Sequence, residues 1–309
     1  MALAHQTEHD PRHGEAVSVA PGVVRVTARN GGPFTFRGTN SYIVGRDTLA
    51  VIDPGPDDDE HLAALQAAIA GRPVSHILVT HTHADHSPLA ARLRDETGAT
   101  TCAEGPHRAA RPMHEGETNM LDASADRAFV PDVSLAHGDA IEGDGWRFET
   151  VLTPGHTANH AAFALTASEA ANTLFAGDHV MAWATTIVAP PDGSMGDYIA
   201  SLDVLLDRLD GGHDTLYLPG HGGELRSPRP YVKGLKTHRL MRERAVLERV
   251  RAGDETIPAM VETVYRTTPK KLHGAAALSV FAHLEDLAAR GLVTVDGPVA
   301  LDARYRAVV

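Results

Sequence analysis

The chain has 309 residues, 43% of them hydrophobic, with a formal charge of −12 and one cysteine, Cys102. This suits a soluble chain long enough for one large domain plus a small one; it leaves no run near the ~20 apolar residues of a bilayer span and excludes an internal disulfide framework. The acidity is confined to residues 1–225, with 13 Lys/Arg against 31 Asp/Glu, whereas residues 226–309 hold 15 against 9, so broad polyanion binding is not expected of the body.

Residues 1–20 read as a polar leader without a basic start and apolar stretch, so no secretory signal is predicted. Together with the lone cysteine, this makes a cytoplasmic protein with no membrane partner the expectation. From Val23 short β-rich runs alternate with Gly/Pro/Asn turns: GVVRVTA, NGGPFTFRGT, NSYIVG and TLAVIDPG. Asn40 to Ile52 is predicted to be a hairpin turning at Gly45-Arg46-Asp47. A helix is predicted from about Asp57 to Ala70, acidic in its first turn. A buried strand, His76 to Thr80, then leads through the turn His81–Pro88 into a helix over Leu89–Thr97. Residues 104–134 read as irregular or partly helical, and Cys102 as a buried strand residue.

The β pattern returns after Gly138 in DAIEGDGW, RFETVLTP, AAFALT and NTLFAGD, followed by a helix at Tyr198–Leu209 and a strand at Asp214–Leu218. Strands then helix, twice over, predict two packed sheets with helices outside. Pro228-Arg229-Pro230 marks a boundary, so residues 21–227 are expected to form the main domain and 228–309 a linking helix and a small C-terminal domain. In the tail, helices are predicted at Tyr231–Ala252, Ile257–Tyr265 and Ala275–Arg290, with paired strands at Leu292–Val295 and Val299–Leu301: a winged-helix pattern.

Nineteen histidines stand out, and several cluster. His81-Thr82-His83-Ala84-Asp85-His86 puts four candidate ligands on one turn between a strand and a helix. His81 and His83 can serve one metal, Asp85 and His86 a second beside it. Imidazole and carboxylate are what zinc uses at catalytic sites, and Mn2+ or Fe2+ accept much the same set. Three further strand ends present His156 in TPGHT, Asp178 in FAGD and His221 in LPGHG, and a carboxylate such as Asp178 can span two ions.

HTHADH, PGHT, AGDH and PGHG together resemble the metallo-β-lactamase superfamily in its HxHxDH subgroup. Over roughly residues 20–300 the chain looks more closely like the β-lactamase-like protein 2 family, through NGGPFTFRGTNSYIVG, VIDPGP, HTHADHS, TPGHTANH and VYRTTPKKLHGAA. The resemblance implies an α/β fold, an αββα sandwich with a small C-terminal winged-helix domain and the metals at one edge between the sheets. It places His81, His83 and His156 on one ion and Asp85, His86 and His221 on the other, with Asp178 bridging. The superfamily's true β-lactamases typically use a cysteine at the second ion; Cys102 lies outside every motif, so antibiotic hydrolysis is not expected.

Two divalent ions, zinc first, about 3.5–4 Å apart would activate a shared water, with Asp85 as the residue to orient or deprotonate it. Trp183, Thr185, Thr186 and Tyr198 are candidate substrate contacts, Asn40 a turn residue, and His160 and His179 supports for the ligands. His9, His61, His213 and His238 read as surface residues. The family resemblance implies an endoribonuclease acting on single-stranded RNA. The alternative is hydrolysis of a small ester, thioester or lactone, similar to the glyoxalase II group; a metal-sensing winged-helix regulator is the remote third reading. The would-be recognition helix carries Glu285 and Asp286 rather than base-reading cations, and Lys270 and Lys271 before it read as a solvated loop. Sequence-specific DNA binding is therefore not expected, and the tail is read as a wall of the active-site cleft or a homodimer contact.

Overall fold

The computed structural model describes residues 3–115, 117–120 and 122–308. One mixed sheet runs in the order β1 (Val17–Ala20), β2 (Val23–Thr27), β3 (Asn40–Val44), β4 (Leu49–Ile52), β5 (Val74–Leu78), β6 (Thr100–Ala103) and β7 (Val133–Ser134). A second holds β8 (Ala140–Gly143), β9 (Trp146–Leu152), β10 (Ala161–Ala167), β11 (Thr173–Gly177) and β12 (Leu216–Pro219), with β8 and β12 at its edges.

Strict alternation along these strands produces the layers, because successive side chains point to opposite faces. Tyr42, Val44, Ala50 and Ile52 meet Phe148, Phe163, Phe175 and Leu218 in the core between the sheets. Their neighbours Ile43, Leu49 and Val51 face outward under α1 (Asp59–Ile69) and α2 (Leu89–Thr97). On the far side, Ala162, Ala164 and Leu174 pack under α3 (Met195–Asp210) and the first half of α4 (Pro228–Arg251). The result is the αββα sandwich expected from the sequence.

The 24 residues of α4 extend ~36 Å and join two cores. Tyr231, Val232 and Leu235 belong to the sandwich; Val246 and Val250 pack with α5 (Ile257–Val264), α6 (His273–Ala289) and the pair β13 (Val293–Val295) and β14 (Tyr305–Ala307). Among the described residues no helix is long and apolar enough to cross a membrane.

Several expectations need correction. NGGPFTFRGT is not a strand: residues 32–37 are bends and turns, held by Asn30, whose Oδ1 accepts from Thr39 N–H, and whose carbonyl accepts from the Thr35 hydroxyl. The second wing strand is Tyr305–Ala307 rather than Val299–Leu301; Tyr305 is the large residue that buries, and Val299 and Leu301 only flank that core. The first twenty residues are no detached leader, since β1 pairs with β2, His5 bonds the Tyr231 hydroxyl and Gln6 N–H bonds Ala182 O. Helix α6 docks on the catalytic domain, where Glu285 pairs with Arg111 at 2.5 Å, and Arg290 holds Asp286.

His61 is also no surface residue. It is buried on α1, its Nε2 2.8 Å from Ser41 Oγ, and burial lowers its pKa to about 4. His283 on α6 is fully buried; burial and the nearby Arg239 lower it to about 3. Both folded-state values lie below the unfolded 6.5, so the unfolded chain gains protons first and stability falls as pH drops below about 6.5. Each site is expected to cost about 2.5 kcal/mol at pH 4.5. Thermal unfolding between pH 7.5 and 4.5 checks this: Tm should fall, and His283→Leu should remove part of the fall. A flat Tm in the wild type would refute it.

Candidate metal centre

The six-residue turn after β5 is anchored before it reaches the site. β5 ends at Leu78, two residues earlier than its apolar run, because Thr80 turns inward. Its N–H and hydroxyl both donate to the carboxylate of Asp53, each at 2.7 Å. Asp53 ends the neighbouring strand β4 with a φ of 49° and is 2% exposed. Its Oδ2 also lies 3.0 Å from His86 Nδ1 and accepts that ring's proton, so His86 Nε2 is the nitrogen aimed into the site.

The same reasoning applies to three of the other rings. The Thr80 hydroxyl spends its hydrogen on Asp53, so it accepts from His81 Nδ1 at 3.0 Å and His81 Nε2 is left as a lone pair. His156 Nδ1 donates to Ile187 O at 2.6 Å and His221 Nδ1 to Gly38 O at 3.2 Å, leaving their Nε2 atoms free. Burial holds His81, His83 and His156 below the usual imidazole range, and the neighbouring rings add to this at His81 and His83.

Two convergence points result. His83 Nδ1 lies 3.1 Å from His81 Nε2 and 3.0 Å from His156 Nε2, close to the ~3.3 Å separation of two ligand nitrogens on a tetrahedral zinc-sized ion. At the second point, His86 Nε2 and His221 Nε2 are 3.4 Å apart, and Asp85 Oδ2 lies 3.4 and 3.2 Å from them. Asp178 stands between: Oδ2 is 3.3 Å from His221 Nε2 and 3.8 Å from His156 Nε2, and Oδ1 is 3.6 Å from His86 Nε2. Asp178 Oδ1 is buried without a hydrogen-bond partner, a costly arrangement for a carboxylate unless a cation faces it. Burial opposes charge on all four groups, but Asp85 and Asp178 hold His86 and His221 above the usual imidazole range, and those two rings hold both carboxyls well below theirs; a divalent ion would take the place of the Nε2 protons. These donor types at these distances fit divalent ions at both points.

The chain beyond the ligands is shaped for this packing. A Cβ on Gly220 would sit 2.4 Å from Asp178 Oδ1 and 2.7 Å from His86 Cε1, so only glycine lets His221 approach. Asn40 does more than fix a turn, as its amide donates to Pro219 O and Gly222 O on either side of His221. The Thr39 hydroxyl lies 3.1 Å from Asp85 Oδ2. Asp85 keeps a quarter of its side chain exposed, against 0–8% for His86, His156, His221 and Asp178. His160 accepts the Asp178 N–H at Nε2 and donates from Nδ1 to Thr153, so it steadies the carboxylate through the backbone. His179 is buried with its ring against Tyr198.

Of the candidate substrate residues, Tyr198 is wrongly placed by the sequence: it is fully buried and its hydroxyl donates to His179 O. Trp183 stacks on Phe36 with centroids 4.8 Å apart. Trp183, Thr185 and Thr186 border a 330 Å3 cavity whose other wall comes from α4, α6 and the segment between α5 and α6. His238 lines this cavity too and is half-buried rather than on the surface, whereas His213 is exposed as expected. The sequence also assigned no role to Asp53, although VIDPGP ends the strand beside HTHADH, nor to Arg239.

Comparison with known proteins agrees with this geometry. The metallo-beta-lactamase superfamily model matches residues 34–221. The chain belongs to that superfamily. As a metallo-beta-lactamase-fold protein it is a hydrolase of a group that uses divalent metals, and residues 256–298 match the beta-lactamase-associated winged helix domain. It is 30% identical over 283 residues to the Beta-lactamase-like protein 2 homolog of Drosophila melanogaster, covering 88% of this chain and 90% of that one. It is 26% identical over 279 residues to an atrochrysone carboxyl ACP thioesterase of Paecilomyces divaricatus, covering 86% of this chain and 78% of that one. The crystal structure of a metallo-beta-lactamase family protein from Thermus thermophilus superposes with a TM-score of 0.73 at 25% identity, covering 94% of this chain and all of that one.

Proposed function

We propose that this superfamily member is a two-metal hydrolase of acyl thioesters, with zinc as the first choice of ion. The observation that carries the reading is the cavity beside His156. Thr186 and Ile187 line it and also contact His156 Nδ1. Its walls are largely apolar: Met181, Trp183, Val188, Leu272, Ala275 and Ala276. Such a space fits an acyl chain or ring.

His81, His83, Asp85, His86, His156, Asp178 and His221 would hold a divalent pair, which would supply Lewis acidity to a carbonyl and a water. The chain's own part is to orient both. Asp85, the most exposed of the three acidic and histidine ligands at its point, accepts the water's proton on its remaining oxygen. A thiol with a pKa near ~8.5 leaves as the thiolate, so the leaving atom needs no proton donor. The fungal relative named as an ACP thioesterase supports the same class. Cleavage of single-stranded RNA is the second reading, implied by family resemblance. It calls for several cations along the cleft to neutralise phosphates, and among the described residues Arg239 is the one Lys or Arg lining this cavity. With α6 docked through Glu285, we read the tail as a wall of the cleft rather than a reader of DNA.

The metal-reconstituted protein should release thiol from acyl thioesters of N-acetylcysteamine and leave labelled single-stranded RNA intact. kcat/KM should rise about fourfold for each methylene the cavity buries. An Asp85→Ala variant serves as the control. RNA cleavage with thioesters untouched would overturn the proposal.

A further inference from the structure

Arg239 is buried in the wall of this cavity and has no acidic partner there. It is 3% exposed. One Nη donates to Thr186 O, the guanidinium carbon lies 5.1 Å over the Tyr198 ring, and Nε is buried without a partner. The half-buried Arg208 holds Asp214 and Glu149, and Arg111 holds Glu117 and Glu285, whereas Arg25, 4% exposed, resembles Arg239 in its unpartnered Nε but reaches the carbonyls of Asp10 and Pro11 rather than lining this cavity. A buried cation without a counter-ion is unfavourable. In a chain with 40 Asp and Glu residues, none lines this cavity among the described residues. Phe34 and Leu272 at its border are themselves exposed, so the space is reachable. Arg266, Lys270 and Lys271, which are exposed, lie within two residues in sequence of the lining residues Thr268 and Leu272.

We propose that the cavity binds a carboxylate-bearing acyl or aryl group, with Arg239 as the counter-ion and Trp183 and Leu272 against its carbon skeleton. A carboxylate carries the single charge that one guanidinium neutralises and matches its planar fork. A phosphate monoester, at about −1.5 to −2, would leave excess negative charge among apolar walls. Assigning the carboxylate to the substrate, at the end remote from the thioester, rests on the thioesterase reading; the binding site does not.

The test is calorimetric titration of the metal-loaded protein with 3-phenylpropionate, its neutral amide and phenyl phosphate. The proteins are the wild type, Arg239→Met and Ala275→Phe, which fills the cavity from α6 and keeps the arginine; metal content is measured for each. The carboxylate should bind the wild type best of the three ligands and roughly tenfold or more weaker in both variants at unchanged metal content. Equal affinity in wild type and Arg239→Met would place the carboxylate on the metals and overturn the proposal. If Arg239→Met fails to fold, Ala275→Phe decides, and unchanged affinity there overturns it. Tighter binding of phenyl phosphate would overturn the carboxylate assignment. Parallel assays compare succinyl and butyryl thioesters, and wild type should prefer the succinyl one by a margin that Arg239→Met loses. Cleavage without that preference overturns the substrate assignment. Arg239-dependent binding with neither thioester cleaved leaves the site standing and removes the thioesterase reading.

Discussion

Asp178→Ala is expected to lower hydrolysis about a thousandfold, equivalent to ~4 kcal/mol of transition-state stabilisation, and to leave fewer than two ions per chain. Asp178 is the carboxylate that faces both convergence points, within 3.8 Å of His156, His86 and His221. Alanine deletes a shared donor and leaves two sets of ligands with nothing to hold the ions together. Because the side chain is small and its strand is held by the sheet, the fold should survive, with Tm close to wild type once metal is removed from both. Elemental analysis and steady-state kinetics on one preparation check this. Two bound ions with more than a tenth of the activity retained would refute the bridging role.

Asp53→Ala should act through the ligands without touching substrate. It strands three donors in a dry region: Thr80 N–H, Thr80 Oγ1 and His86 Nδ1. Leaving buried donors unpaired costs about 1–3 kcal/mol each, so a loss of ~3–5 kcal/mol in stability is expected. Metal affinity should also fall about 10–100-fold, the usual cost of removing a carboxylate that orients a ligating histidine. Asp53→Asn keeps the shape and separates the two effects. Its oxygen can still accept from His86 and the Thr80 hydroxyl, while its amide nitrogen opposes the Thr80 N–H, so it should lose less on both counts. Chelator competition gives the affinity, and denaturant unfolding of the metal-free proteins gives the stability. Unaltered metal affinity in Asp53→Ala would make Asp53 a purely structural residue.

The candidate ligands were legible for a local reason. Four of the seven lie within six residues on one turn, and the other three each follow a short apolar strand at a glycine turn. Strand alternation likewise dictated the two sheets and their covering helices, since an apolar face must be buried whatever covers it. Which surface covers it is a different matter. The apolar pattern of α6 was readable, but its docking through Glu285 on Arg111, 174 residues away in sequence, was not. NGGPFTFRGT has strand-like composition, yet Asn30 captures its backbone in a turn, a competition that β propensity does not register.

The sequence by itself therefore determined the αββα class, the donor types and the order in which strands deliver them, because periodicity and short-range turn chemistry are written in neighbouring residues. Only the tertiary structure decided that Asp53 fixes the His86 tautomer across 33 residues, that Asn40 clamps the His221 turn across some 180, and that Arg239 faces an apolar cavity made by two domains. Those outcomes depend on long-range hydrogen bonds and on the absence of a counter-charge, and both arise only once distant segments are packed together.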